Sequence, residues 1–166
     1  MYLKNMFKRS RGFTLIELIV VIAIIAILAA IVIVGVNGYI TKARNARRIS
    51  DVENYVKALN MYYIDNNSYP NGSLCCLGTV ANNGNPSGSS CGSGCAANAA
   101  LQPYIPGLPG ANLIINGVVY PYWYDMKNNN TQYSLYYTLE GINQSCGIGY
   151  TTGSFSKCTY CKYDSQ

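Results

Sequence analysis

Seven cysteines and no histidine carry most of the reactive chemistry in this sequence: Cys75, Cys76, Cys91, Cys95, Cys146, Cys158 and Cys161. The pair Cys91/Cys95 and the C-x2-C pair Cys158/Cys161 could supply four thiolates to zinc. A C-x2-C can also cycle between thiols and a disulfide, and any of the seven can enter a structural disulfide. Vicinal Cys75 and Cys76 are not expected to bond each other, so each should reach Cys91, Cys95 or farther. Cys146 with either Cys158 or Cys161 would close a loop near the carboxyl end. Spacing does not decide the connectivity, and an odd count leaves one sulfur as a thiol or paired between chains. The other chemically unusual residue is Glu17. It is the one charged residue between Phe13 and Val36, in a run whose only other polar side chain is Thr14.

Zinc is disfavoured because Cys91/Cys95 lacks the usual structural setting. A thioredoxin-like role needs a βαβ unit, and none is legible. No metal and no cofactor are expected. With no histidine, no G-x-S-x-G, no P-loop and no close carboxylate pair, the chain reads as something other than an enzyme.

The elements that must position these residues start with the apolar run. Phe13–Val36 is roughly 36 Å long as a helix at about 1.5 Å per residue, enough for a hydrocarbon core of about 30 Å. It is too long for a secretory signal, and Ala29–Ala30 after Leu28 make a poor cleavage site. No proline occurs from Phe13 to Tyr69. Ile49, Val52, Val56, Leu59 and Tyr63 recur at steps of three and four, predicting an apolar stripe. One helix is therefore expected from about Phe13 to about Asp65, ended by "DNNSYPNGS". Thr14 and Glu17 have the spacing of a capping box.

Residues 74–100 are rich in Gly, Ser and Asn and read as a cysteine-pinned loop; residues 146–161 read as a second. "GVVYPYWYD" and "TQYSLYYTLEG" read as two strands around "MKNNN". In the second, Tyr133, Leu135, Tyr137 and Leu139 should face a core, with Ser134, Tyr136, Thr138 and Glu140 on a wetter face. The many tyrosines read as sheet packing.

The formal charge is +5. Lys4, Lys8, Arg9 and Arg11 all precede the apolar run, and without them eight basic side chains face seven acidic ones, a net of +1. Global charge therefore gives no support to nucleic-acid binding. Lys42, Arg44, Arg47 and Arg48 follow the run and are expected to face lipid headgroups or solvent.

"RGFTLIELIVVIAIIAIL" resembles the processing and assembly sequence of type IV prepilins and of the related type II secretion pseudopilins. The family pattern is a basic leader ending in Gly, then Phe, then Thr-Leu-Ile-Glu-Leu, then a long apolar helix. "ALNMYYIDNNSYP" and "LQPYIPGLPG" also resemble family segments. The resemblance implies cleavage between Gly12 and Phe13 by a prepilin peptidase and N-methylation of Phe13. It also implies a role for Glu17 in assembly, pairing with the new amine in its own chain or a neighbour's. One departure is the absent mid-helix proline, where Gly35 is the only breaker. Calcium, which major pseudopilins hold in a carboxylate-rich loop, is not expected, since after residue 70 the acids are only Asp125, Glu140 and Asp164.

The implied fold is α+β: a long amino-terminal helix, transmembrane in its first half and amphipathic in its second, on a small antiparallel sheet with disulfide-pinned loops. The implied division is a cleaved leader 1–12, an assembly helix 13–36, its amphipathic continuation 37–66 and a globular domain 67–166. The implied function is a structural subunit of a type IV pilus-like filament, or alternatively of a secretion pseudopilus. Implied partners are further pilin copies, the peptidase, an assembly platform with its ATPase motor, and inner-membrane lipid. Nucleic acid enters only if the filament takes up DNA. The precursor would sit in the cytoplasmic membrane with its amino terminus inside, and the product in an extracellular filament or a periplasmic pseudopilus. The rival from another class is a signal-anchored, cysteine-rich binding domain that never polymerises and keeps its leader.

Overall fold

The computed structural model describes residues 12–78, 95–110, 113–115, 117–155 and 157–166, leaving aside the side chains of 32–35, 37 and 155. The chain divides into two units, Met1–Ile40 and Thr41–Gln166. Helix α1, Leu15–Asn66, contributes to both. Its backbone stays helical through Gly35 and Gly38. A helix-interior glycine costs only about 1 kcal/mol, and no proline removes a hydrogen bond.

In the first unit the described side chains of α1 from Leu15 to Ile31 are exposed on every face, from Leu15 at 79% to Val21 at 46% for the large apolar ones. Among the described residues, no helix is long and apolar enough to cross a membrane. Leu15 to Ile31 covers about 26 Å at roughly 1.5 Å per residue, and the expected span also includes side chains outside the described ones.

The second unit is α+β. Strands β1 (Cys75–Leu77), β4 (Tyr122–Lys127), β5 (Gln132–Glu140), β6 (Tyr150–Phe155) and β7 (Cys158–Asp164) form one antiparallel sheet in the order β1-β4-β5-β7-β6. Strands β2 (Leu113–Ile115) and β3 (Val118–Tyr120) make a separate hairpin, and helix α2 spans Ala96–Leu101. The end of α1 packs on the sheet. Val52, Tyr55, Ala58 and Leu59 share one core with Tyr122, Tyr124, Tyr133, Leu135, Tyr137 and Leu139. The stripe is rotated from its expected line. Tyr63 is 36% exposed and stacks on Tyr69 at 4.7 Å, while Tyr55 lies at the centre of the contact. The helix ends where Asn67 turns left-handed (φ 50), its N–H donating to the Tyr63 carbonyl at 2.8 Å, with Pro70 close behind. That is the usual way an asparagine closes a helix.

Three expectations are corrected. Residues 74–100 are not all loop: β1 adds to the sheet edge, and an alanine-rich turn of helix forms α2. The 146–161 segment is not a loop either, because β6 and most of β7 occupy it as a hairpin. And the second face of β5 is only partly wet: Tyr136 and Glu140 stay partly exposed as expected, but Ser134 and Thr138 are buried with the tyrosines and leucines. The reason is position: β5 is the middle strand, flanked on both edges, and the β2–β3 hairpin lies near it.

The outward row of β7 is held by charge. Lys162 pairs with Asp164 at 2.8 Å, and Asp164 also accepts from the Ser134 hydroxyl at 2.5 Å and from Tyr150 at 2.7 Å. Burial pushes the Asp164 carboxyl up, but these three donors outweigh it and bring it down to about 2. A carboxylate depressed on folding stabilises fully above its unfolded pKa, near 4, and that gain is lost as pH falls through about 2. Asp164→Asn should therefore flatten the fall in stability between about pH 4 and pH 2, by a small amount because the side chain is 39% exposed. Urea midpoints measured along that limb check it; equal slopes for both proteins would count against the assignment.

Candidate functional site

At the start of α1, Thr14 and Glu17 bond reciprocally. The Thr14 N–H and hydroxyl donate to the Glu17 carboxylate at 2.9 and 2.6 Å, and the Glu17 N–H donates to the Thr14 hydroxyl at 3.3 Å. This is the expected capping box, and it sets a carboxylate at the positive end of the helix dipole. Phe13 is 83% exposed just ahead of it. Gly12 is exposed too, and a Cβ built there would meet nothing within 4 Å. Among the described residues nothing requires a glycine at position 12.

The cysteines separate by strand face. Cys75 bonds Cys95 across 20 residues, and Cys146 bonds Cys161 across 15. Cys76 is also disulfide-bonded. Cys91 lies outside the described residues. The choice of Cys161 over Cys158 follows from strand geometry. Side chains alternate along a strand, so residues three apart point to opposite faces. Cys161 joins the core beside Tyr137, while Cys158 is a buried thiol near Tyr120 on the other side, where burial raises its pKa. The two sulfurs of this C-x2-C therefore cannot serve one metal or one redox disulfide in this strand. Among the described residues, no group of three or more potential ligands could hold a metal ion. The three late acids each have another partner: Asp125 accepts from Ser73 and the Leu74 N–H, Glu140 pairs with Arg44, and Asp164 pairs with Lys162.

The basic cluster does not all face outward as expected. Lys42 and Arg47 are exposed, but Arg48 is 5% exposed and Arg44 binds Glu140 at 2.7 Å. Asn45 exchanges hydrogen bonds with the Glu140 backbone at 2.8 and 2.9 Å, and Arg48 Nε donates to the Thr138 carbonyl at 2.7 Å. The cause is a missing strand partner. Pairing of β4 with β5 stops at Trp123↔Tyr136, and in that register the place opposite Thr138 falls to Pro121, which has no N–H. Helix side chains satisfy the strand backbone instead. A proline ahead of the tyrosine-rich strand was the available signal.

Residues 7–33 match the family model described as the prokaryotic N-terminal methylation motif. The chain is 44% identical over 63 residues to the type II secretion system core protein G of Pectobacterium carotovorum subsp. carotovorum, covering 38% of this chain and 40% of that protein. It is 44% identical over 63 residues to core protein G of Aeromonas hydrophila (38% and 44% covered), and 44% over 62 residues to that of Escherichia coli strain K12 (37% and 43%). The chain thus spans less than half the length of these curated relatives. No solved structure matches. The chain thus carries the prokaryotic N-terminal methylation motif at residues 7–33, is similar over 63 residues to a type II secretion core protein G, and packs a helix on an antiparallel sheet in its second unit.

Proposed function

We propose that the chain is a structural subunit of a pilus-like filament. It is cut after Gly12, N-methylated at Phe13 and polymerised through the apolar part of α1. The single observation that carries this reading is the amino-terminal motif itself: a glycine the fold does not need, an exposed Phe13, a Thr14–Glu17 box, and then apolar side chains exposed on every face of the helix. An isolated soluble protein does not keep so large an apolar surface in water; lipid before assembly and identical helices after it would cover it. Glu17 would offset the new amine of Phe13, four residues away on the same helix face, or that of a neighbouring subunit. Such a subunit does no chemistry of its own. It needs a prepilin peptidase, a membrane platform and a motor, with the precursor anchored in the cytoplasmic membrane.

A second reading, a pseudopilin working in protein secretion, is favoured by the names of the similar proteins, all core protein G. The disulfides of the globular unit, which suit an outward-facing surface, favour the pilus. Intact mass and amino-terminal sequence decide. Methyl-Phe13 in a sheared cell-surface fraction supports a pilus, and methyl-Phe13 confined to membranes supports a pseudopilus. A chain still starting at Met1 in both fractions overturns either reading and leaves an anchored binding domain.

A further inference from the structure

Arg44, Arg47 and Arg48 stand three and four residues apart on α1 and line one cleft of about 170 Å³ with Asp51, Leu113 and Tyr122. That is room for a phosphate group and several waters at about 30 Å³ each. Arg48 is the buried member. It donates to the Thr138 carbonyl at 2.7 Å and the Tyr120 carbonyl at 3.0 Å, and its guanidinium lies 4.6 Å from the centre of the Tyr122 ring. A guanidinium has five N–H donors, so these bonds leave several unused. Among the described residues no carboxylate comes within ion-pair distance of Arg48 or Arg47; the ion pairs are Arg44–Glu140 and Lys162–Asp164. Asp51 takes the Tyr122 hydroxyl at 2.9 Å. Asp51, on the same cleft, favours the Arg48 charge through space but does not bond it; a buried cation so incompletely compensated is costly, and this one borders an open cleft beside Arg47, which has no ion pair among the described residues.

We propose that this cleft binds a phosphate group, with Arg48 as the buried anchor and Arg47 closing over it from the surface. Guanidinium forks match the oxygens of a phosphate two at a time, and arginines one turn apart can hold more oxygens than a single carboxylate presents. Two sources share this chemistry. One is the headgroup of an anionic phospholipid, because the three arginines follow the apolar run directly in sequence. The other is free phosphate. The site does not depend on the filament reading.

The test uses the full chain in neutral-detergent micelles, with melting followed in inorganic phosphate and in sodium chloride of equal ionic strength, so that simple screening cancels. A second arm compares neutral micelles with micelles doped with phosphatidylglycerol. Phosphate or the doped micelles should raise the melting midpoint, and whichever does so identifies the source. Arg47→Ala, at an exposed position, should weaken the apparent affinity about tenfold, and Arg48→Lys, which keeps the charge but loses the fork, by at least as much. Lys42→Ala, the same charge change outside the cleft, should leave it unchanged. Equal midpoints in all media overturn the proposal. So does an equal loss from Lys42→Ala, which would mean diffuse charge only. Self-association that Arg47→Ala abolishes, without any phosphate effect, would assign the cleft to a carboxylate of a second copy and also overturn it.

Discussion

Glu17→Gln should yield a chain that is cut and methylated normally yet assembles no filament. The substitution separates two roles that share one side chain. A glutamine keeps the capping-box geometry, since its amide oxygen can still accept from the Thr14 N–H and hydroxyl. It lacks the charge that would neutralise the Phe13 amine. Glu17→Ala removes both. If the carboxylate serves only to start the helix, Gln should assemble like the native chain and Ala should lose only the ~1 kcal/mol typical of a cap. If the charge pairs with an amine away from bulk water, both variants should fail, because an unpaired ammonium in an apolar setting is expensive. Sheared-fraction yield for the three proteins, with membrane levels alongside, reads this out. Native-level filaments from Glu17→Gln would sink the charge role while leaving the cap intact.

Cys146→Ser should cost about 3 kcal/mol, the loop-closure estimate for a bridge across 15 residues. In a unit of this size the melting midpoint should drop by roughly 10 °C. The bridge fastens the turn before β6 to β7, and the Tyr137 hydroxyl donates to the Cys146 carbonyl and, at 2.5 Å, to that of Ile148. Burial, with the Glu53 carboxylate adding to it, pushes that hydroxyl up to about 12, so it stays a donor across the working pH range. Calorimetry of the native chain, Cys146→Ser and Cys158→Ala is the check. Cys158 keeps its thiol in the native fold, so its substitution should cost much less than breaking the bridge. A Cys146→Ser melt no lower than that of Cys158→Ala would overturn the estimate.

Much of the molecule was legible because its signals are local. The helix was expected from about Phe13 to about Asp65 and runs Leu15–Asn66; Thr14, the absence of proline and the "DNNSYPNGS" terminator are short-range features. Strand β5 and the asparagine turn before it were legible for the same reason, but "GVVYPYWYD" is not the one strand expected: it breaks at Pro121 into β3, in the separate hairpin, and β4, in the main sheet. What was missed depends on distant partners. Strand β1 is three residues long and exists through its pairing with β4. The 150–155 strand has little apolar alternation, and β7 supplies its register. The arginines looked solvent-facing because nothing within α1 reveals a proline-made gap in a strand about ninety residues away. At the candidate site, the residue types were readable from the motif, and the structure added that Gly12 has no internal reason to be glycine.

The opposed faces of Cys158 and Cys161 make the Cys146 bridge a checkpoint on strand alignment. Any odd slip of β7 turns every side chain over, and a slip of three residues would set Cys158 opposite Tyr137, where Cys161 now sits, with Cys161 on the far face. A chain oxidised in that state would be trapped, because the wrong covalent bond would hold the wrong register. The Cys146–Cys161 bond is compatible with the β5–β7 register seen here and a Cys146–Cys158 bond is not, so the ratio of the two crosslinks in newly made protein reports how often the strand is oxidised in the register of the final fold.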